Sequence, residues 1–151
     1  MALIVPIDAI EDPPMQVVNA IVPTPEQMTD FFGAAEDGPF TMINLLKFKP
    51  KAEYADGHDA HLSGWEAYMR YGVAVAAHIK AVGGIPGYAG RVTGLMLGEV
   101  EELWDMVALA EYPSLAAFLA MVANPDYQAI SIHRDAGLAG QLNIKTQAPR
   151  A

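Results

Sequence analysis

Hydrophobic positions recur along this chain with two periods, and the switches between them mark its elements. The stretch Thr41-Met42-Ile43-Asn44-Leu45-Leu46-Lys47-Phe48 is apolar or β-prone at six of its eight positions, which predicts a strand over 40–48 covered on both faces. Two polar side chains, Asn44 and Lys47, interrupt it, and buried polar groups need partners. Upstream, Pro6, Pro13, Pro14 and Pro23 predict an extended arm to about residue 22, and Thr24-Pro25-Glu26-Gln27 is a capping box opening a short helix to about residue 35. Downstream of a polar loop, Ser63-Gly64-Trp65-Glu66 is a second capping box. Trp65, Tyr68, Gly72, Val75, Ile79 and Val82 then follow at helical spacing until Gly83-Gly84 and Pro86 end the helix. Residues 88–97 and 103–111 predict two strands joined by a five-residue hairpin connection at 98–102. Ser114 starts a helix carrying Leu115, Phe118, Leu119 and Val122. Asn124-Pro125-Asp126 breaks and restarts it with Tyr127, Ile130, Arg134 and Leu138, and 141–146 is a last short strand.

Strand, long helix, two strands, helix, strand is the order of a ferredoxin-like βαββαβ sandwich of the α+β class, with its helices on one sheet face. The expected layout is an N-terminal arm and extra helix (1–37), the sandwich (38–146) and a tail (147–151). The strands at 41–48 and 103–111 are apolar on both alternating faces, so the face opposite the helices needs a cover. The economical cover is the same sheet of a second copy, which predicts a homodimer with a barrel-like interior, a dimeric α/β barrel.

Composition narrows the function classes. The chain has 151 residues, 52% hydrophobic and 18% charged, as for one globular domain with a core of its own. A net charge of −9 without a basic run argues against nucleic acid as a partner. The absence of Cys removes disulfides, thiolate metal sites and Cys nucleophiles and fits a reducing cytoplasm. The first residues lack the basic region of a signal peptide, and no apolar run is long enough to span a membrane.

The run from Gly38 through Asn44-Leu45-Leu46-Lys47-Phe48, Tyr68, Tyr112-Pro113-Ser114, Asn124-Pro125-Asp126-Tyr127 and Arg134 resembles the DUF1330 family of the dimeric α/β-barrel superfamily over residues 38–146. The resemblance implies a ferredoxin-like subunit, a dimer and a family without a settled activity. Its wider relatives include cofactor-independent monooxygenases, muconolactone-type isomerases, EthD-like proteins and haem-dependent members. The N-terminal arm and the His58–His61 loop depart from the pattern and inherit nothing.

Several residues are candidates for chemistry. Asn44 and Lys47 differ in parity and point to opposite faces, so only one looks into the intersheet cavity. Asn44 is the candidate there, sharing its face with Met42, Leu46 and Phe48 and bonding a ligand carbonyl or enolate, against the alternative of a structural Asn. Lys47, near the strand end, snorkels or pairs with Glu111. Tyr68 is a pocket residue and proton donor in a helix of core aromatics. His61 and Glu111 are candidate bases. Phe48, Trp65, Arg91, Tyr127 and Arg134 are candidate ligand contacts, the two Arg through a carboxylate or, alternatively, in structural salt bridges. His58 and His61 would supply two metal ligands only if His78 or His133 approached, and no zinc spacing completes them, so no metal is expected. The expected function is a small-molecule enzyme of isomerase, lyase or monooxygenase type, without an organic cofactor, acting on a hydrophobic or aromatic carbonyl or acid compound. The alternative is a homodimer that binds such a ligand without turnover, with a haem-dependent protein as a third.

Overall fold

A computed structural model describes residues 16–36 and 38–149. The arm expected over residues 1–15 lies outside the described residues, as do residue 37 and positions 150–151. Both capping boxes form: the Thr24 and Ser63 hydroxyls each accept the N–H three residues on, while Gln27 and Glu66 accept from the cap N–H. They start α1 (Pro25–Gly33) and α2 (Gly64–Ala81). Strands β1 (Phe40–Phe48), β2 (Ile85–Arg91), β3 (Met106–Tyr112) and β4 (Leu138–Thr146) make one antiparallel sheet in the order β2-β3-β1-β4. With α2 between β1 and β2, and α3 (Leu115–Ala123) and α4 (Pro125–Gly137) between β3 and β4, this is the ferredoxin-like fold. Among the described residues no helix is long and apolar enough to cross a membrane.

The connection between β2 and β3 differs from the expected hairpin. β2 begins right after Gly84 and ends at Arg91, so residues 92–105 form a long loop. Pro86 is tolerated because β2 is an edge strand, where a missing N–H costs no ladder bond. The apolar Leu103 and Trp104 are held from outside the ladder: Lys47 Nζ donates to the Leu103 carbonyl at 3.0 Å and Trp104 Nε1 to Asn19 Oδ1 at 2.7 Å. Leu138, expected on the last helix, instead opens β4 with no intervening loop.

One face of β1 carries Phe40, Met42, Asn44, Leu46 and Phe48. Phe40 and Met42 pack with Ile79, Ala110, Tyr112, Leu115 and Met121, and Leu46 packs with Tyr68 and Leu138, so this face looks at the helices. Phe31 of α1 joins the first cluster, and the Glu36 carboxylate accepts the Leu115 and Ala116 N–H groups at 2.6 and 3.1 Å, which satisfies the start of α3. The other face carries two aliphatic rows across three strands: Ile144, Ile43 and Leu109, then Leu142, Leu45 and Val107. None of these six belongs to a core cluster, and among the described residues no helix packs on them. Asn44 therefore faces the helices, and Lys47 shares the open face with these rows, the reverse of the expected assignment.

α2 and α4 meet backbone to backbone. A Cβ on Gly64 would run into the carbonyls of Lys49 and Gly137, and one on Gly137 would lie 2.8 Å from the Tyr68 nitrogen and against the Gly64 carbonyl. Only Gly at both positions permits this approach.

Candidate functional site

A polar chain crosses the helix side of the sheet. Arg134 on α4 donates through Nη2 to Gln141 Oε1 at 2.7 Å. Gln141 Nε2 donates to Asn44 Oδ1 at 3.0 Å, and Asn44 Nδ2 donates to the Ala108 carbonyl at 3.1 Å. Arg134 Nη1 donates to the Ile21 carbonyl at 2.8 Å and to Asp135 Oδ1 at 3.2 Å. This is how an apolar strand tolerates an Asn: its amide is bonded at both ends by protein groups, and the buried Gln141 is bonded in turn.

Beside this chain four phenols converge. Tyr68, 7% exposed, lies with its ring centroid 5.2 Å from Phe48 and 5.5 Å from Tyr71, and the Tyr71 and Tyr127 hydroxyls share a hydrogen bond of 3.0 Å. Tyr112, 5% exposed at the end of β3, packs 5.5 Å from Phe40 and 4.8 Å from Phe118. Burial, first, and then the neighbouring phenols push Tyr71 well above the ordinary phenol range and raise Tyr112 too. Burial lifts Tyr68 to about 12 against a lowering pull from Arg134. All three are thus neutral hydroxyls at physiological pH. Among the described residues neither the Tyr68 nor the Tyr112 hydroxyl has a hydrogen-bond partner, yet no fully buried side-chain N or O lacks one. Each of these two hydroxyls is therefore open to a water-sized group.

Five of the nominated residues, Asn44, Phe48, Tyr68, Tyr127 and Arg134, come together here. The others do not. Glu111 is exposed on the opposite sheet face, where with Thr41, Ile43, Leu109 and Thr146 it lines a shallow hollow of about 540 Å³. His61 sits exposed in the loop before α2, where its backbone carbonyl accepts Lys51 Nζ at 3.5 Å. Trp65 is 49% exposed on the first turn of α2, and Arg91 is exposed at the end of β2. Asn44, Tyr68, His61 and Glu111 thus cannot meet on one reacting atom. Lys47 pairs with Glu102 at 3.0 Å rather than with Glu111. Tyr71, Tyr112 and Gln141 also belong to this cluster but were not nominated for it: Tyr71 lies one helical turn from Tyr68, Tyr112 carried only the family resemblance, and Gln141 had no signal.

A second cluster ties the loop before α2 to the helices. The Tyr54 hydroxyl donates to His133 Nδ1 at 2.6 Å and accepts from Arg70 Nη1 at 3.3 Å, while Arg70 also bonds Asp59 Oδ2 at 2.8 Å and His58 pairs with Asp56. Burial and the neighbouring Arg70 and His58 hold His133 below the usual imidazole range, so it is neutral and able to accept. Among the described residues no three His, Asp or Glu side chains converge as a metal site.

No protein-family model matches the chain, and no curated protein matches its sequence. Among solved structures, a dimeric protein of unknown function and ferredoxin-like fold from Bacteroides fragilis superposes with a TM-score of 0.49 at 12% identity, covering 76% of this chain and 100% of that one. The protein RPA0582 of Rhodopseudomonas palustris, of unknown function, superposes with a TM-score of 0.78 at 32% identity over 89% of this chain and 100% of its own. Its methylated form gives 0.79 and 33% over 89% and 98%. With a third of its residues shared along nearly the whole of that protein, the chain belongs to the family of this Rhodopseudomonas palustris protein.

Proposed function

We propose that the protein is a cytoplasmic homodimer that holds a small hydrophobic or aromatic carbonyl or acid compound between the sheet and α2, α3 and α4, without an organic cofactor. The observation that carries this reading is the pair of hydroxyls on Tyr68 and Tyr112, which have no partner among the described residues although each residue is more than nine-tenths buried. A ligand oxygen that displaces water there would give each hydroxyl an acceptor within largely apolar surroundings. Phe48, Phe40 and Phe118 supply the apolar walls such a ligand needs. The resemblance of the Asn44–Phe48 run to the DUF1330 family supports the dimer.

Turnover of isomerase, lyase or monooxygenase type is the second reading. Neutral phenol donors of this kind would stabilise a developing enolate. The nominated bases His61 and Glu111 lie outside this cluster, so binding is the reading the geometry supports better. Thermal-shift screening of aromatic acids, lactones and fatty acids, with product analysis of each hit, separates the two. Tyr68→Phe is the decisive variant: its hydroxyl has no protein partner among the described residues, so the melting temperature without ligand stays close to wild type. Affinity for the hit falls roughly tenfold, as for loss of one hydrogen bond to a charged or polarised group. An equal shift in wild type and Tyr68→Phe would place the ligand elsewhere.

A further inference from the structure

We propose that His133 is the catch of an acid-sensitive latch that ties the loop before α2, residues 49–63, to α4, and that a proton on its Nδ1 opens the latch. The bonds at one hydroxyl decide which group donates. Arg70 carries only donors, so in its 3.3 Å contact the Tyr54 oxygen accepts, and the phenol proton is left for His133 Nδ1 at 2.6 Å. His133 therefore carries its hydrogen on Nε2, and Nδ1 is a bare acceptor. Tyr54 is 7% exposed and packs with Ala52, Ala67 and Ala136, so its hydroxyl has little water to turn to when that acceptor is lost.

A proton on Nδ1 turns the acceptor into a second donor facing the phenol O–H. The Tyr54 oxygen can take that donor only by giving up its own bond, with the Arg70 guanidinium already on it. Among the described residues, the titratable and charged groups that face His133 are Tyr54, His58 and Asp59 from the loop and Arg70 from α2. The His58 ring lies 4.1 Å from that of Tyr54. Asp59 is the one carboxylate of this set, and it is already bound to Arg70 at 2.8 Å, while Asp56 is taken by His58. On α4 itself, Arg134 is bonded to Ile21, Gln141 and Asp135. An imidazolium at His133 thus meets more positive than free negative charge. Burial, first, and then Arg70 and His58 hold the imidazole below its ordinary range, so the folded chain takes up this proton less readily than the unfolded one. The latch is whole above the ordinary imidazole value of about 6.5, and its contribution is lost as the pH falls from there through the lower folded value.

Amide hydrogen exchange, read residue by residue at about pH 7.5 and about pH 5.5 and corrected for the intrinsic pH dependence, tests the inference on wild type, His133→Asn and Tyr54→Phe. Asn keeps an acceptor oxygen near the place of Nδ1 and does not titrate. The reporters are the Glu53 amide, bonded to the Ala136 carbonyl, and the Gly57 amide, bonded to the Tyr54 carbonyl, with the Lys49 amide on the Gly137 carbonyl as the internal reference. Wild-type protection of the two reporters is expected to fall about tenfold on acidification, the scale of one hydrogen bond, while Lys49 holds. His133→Asn should stay level, and Tyr54→Phe should start low and change little. Reporters that hold in wild type, a fall that Lys49 shares, or a fall of wild-type size in either variant would overturn the latch. Should His133→Asn fail to fold, Tyr54→Phe decides alone, because it retains all four His.

Discussion

Light scattering at micromolar concentration is expected to give twice the 16.2 kDa chain mass, and Leu45→Asp or Leu109→Asp to abolish that dimer. The expectation comes from the two aliphatic rows, Ile144-Ile43-Leu109 and Leu142-Leu45-Val107, which stand in register on the sheet face that no helix covers among the described residues. The rows form one continuous aliphatic surface, with Ile144 43% exposed and the other five partly exposed, and a second sheet laid on it would bury both at once. An Asp in the middle of the patch would have to be buried unpaired, at a cost of several kcal/mol, which corresponds to a weakening of about a thousandfold or more. The variant should run as monomer or aggregate while its helix-side core stays intact. Leu46 and Ala108 lie on the face that looks at the helices, so an Asp there tests the core and not the interface. A well-behaved wild-type monomer would remove the dimer.

Gly137→Ala is expected to be among the most destabilising single-methyl changes in the chain. The atoms in its way are backbone, the Gly64 carbonyl and the Tyr68 nitrogen, and neither can swing aside as a side-chain end would. Relief requires α4 to move off α2, at a cost near the upper end of overpacking, about 3 kcal/mol, or roughly 6–12 °C in melting temperature for a chain of this size. The same displacement would separate Tyr127 from Tyr71 and carry Arg134 away from Gln141, so ligand affinity should fall along with stability. Gly33→Ala, where nothing lies within 4 Å, is the control. A Gly137→Ala protein that melts with wild type would mean that the helices are not in backbone contact.

Much of this architecture was legible in the residues because its signals are local. The Thr24 and Ser63 capping boxes, the β1 span and the Asn124-Pro125 restart all rest on neighbours within a few positions. What failed depends on distant partners. Parity places Asn44 and Lys47 on opposite faces, but with both faces apolar it does not say which one meets the helices, and the Asn44–Gln141 bond that decides it spans 97 positions of chain. The apolar residues of 92–105 looked like strand, yet the Asp105 carboxylate takes the Phe48 N–H at 2.8 Å and the Asp105 N–H bonds the Leu46 carbonyl, fixing the ladder's end there. Tyr112 entered only through the Tyr112-Pro113-Ser114 run of the family resemblance and was not nominated for the site, because nothing near it in sequence marks its hydroxyl as unpartnered. The Gly64 and Gly137 contact is likewise invisible until α2 and α4 are brought together.

The most direct measurement is a crystal structure of the dimer with the tightest-binding acid. One ligand per chain is expected between the sheet and the helices, with an oxygen about 2.5–3.0 Å from the Tyr68 or the Tyr112 hydroxyl. A ligand seated instead in the hollow beside Glu111, Thr41 and Thr146, with both hydroxyls untouched, would contradict it.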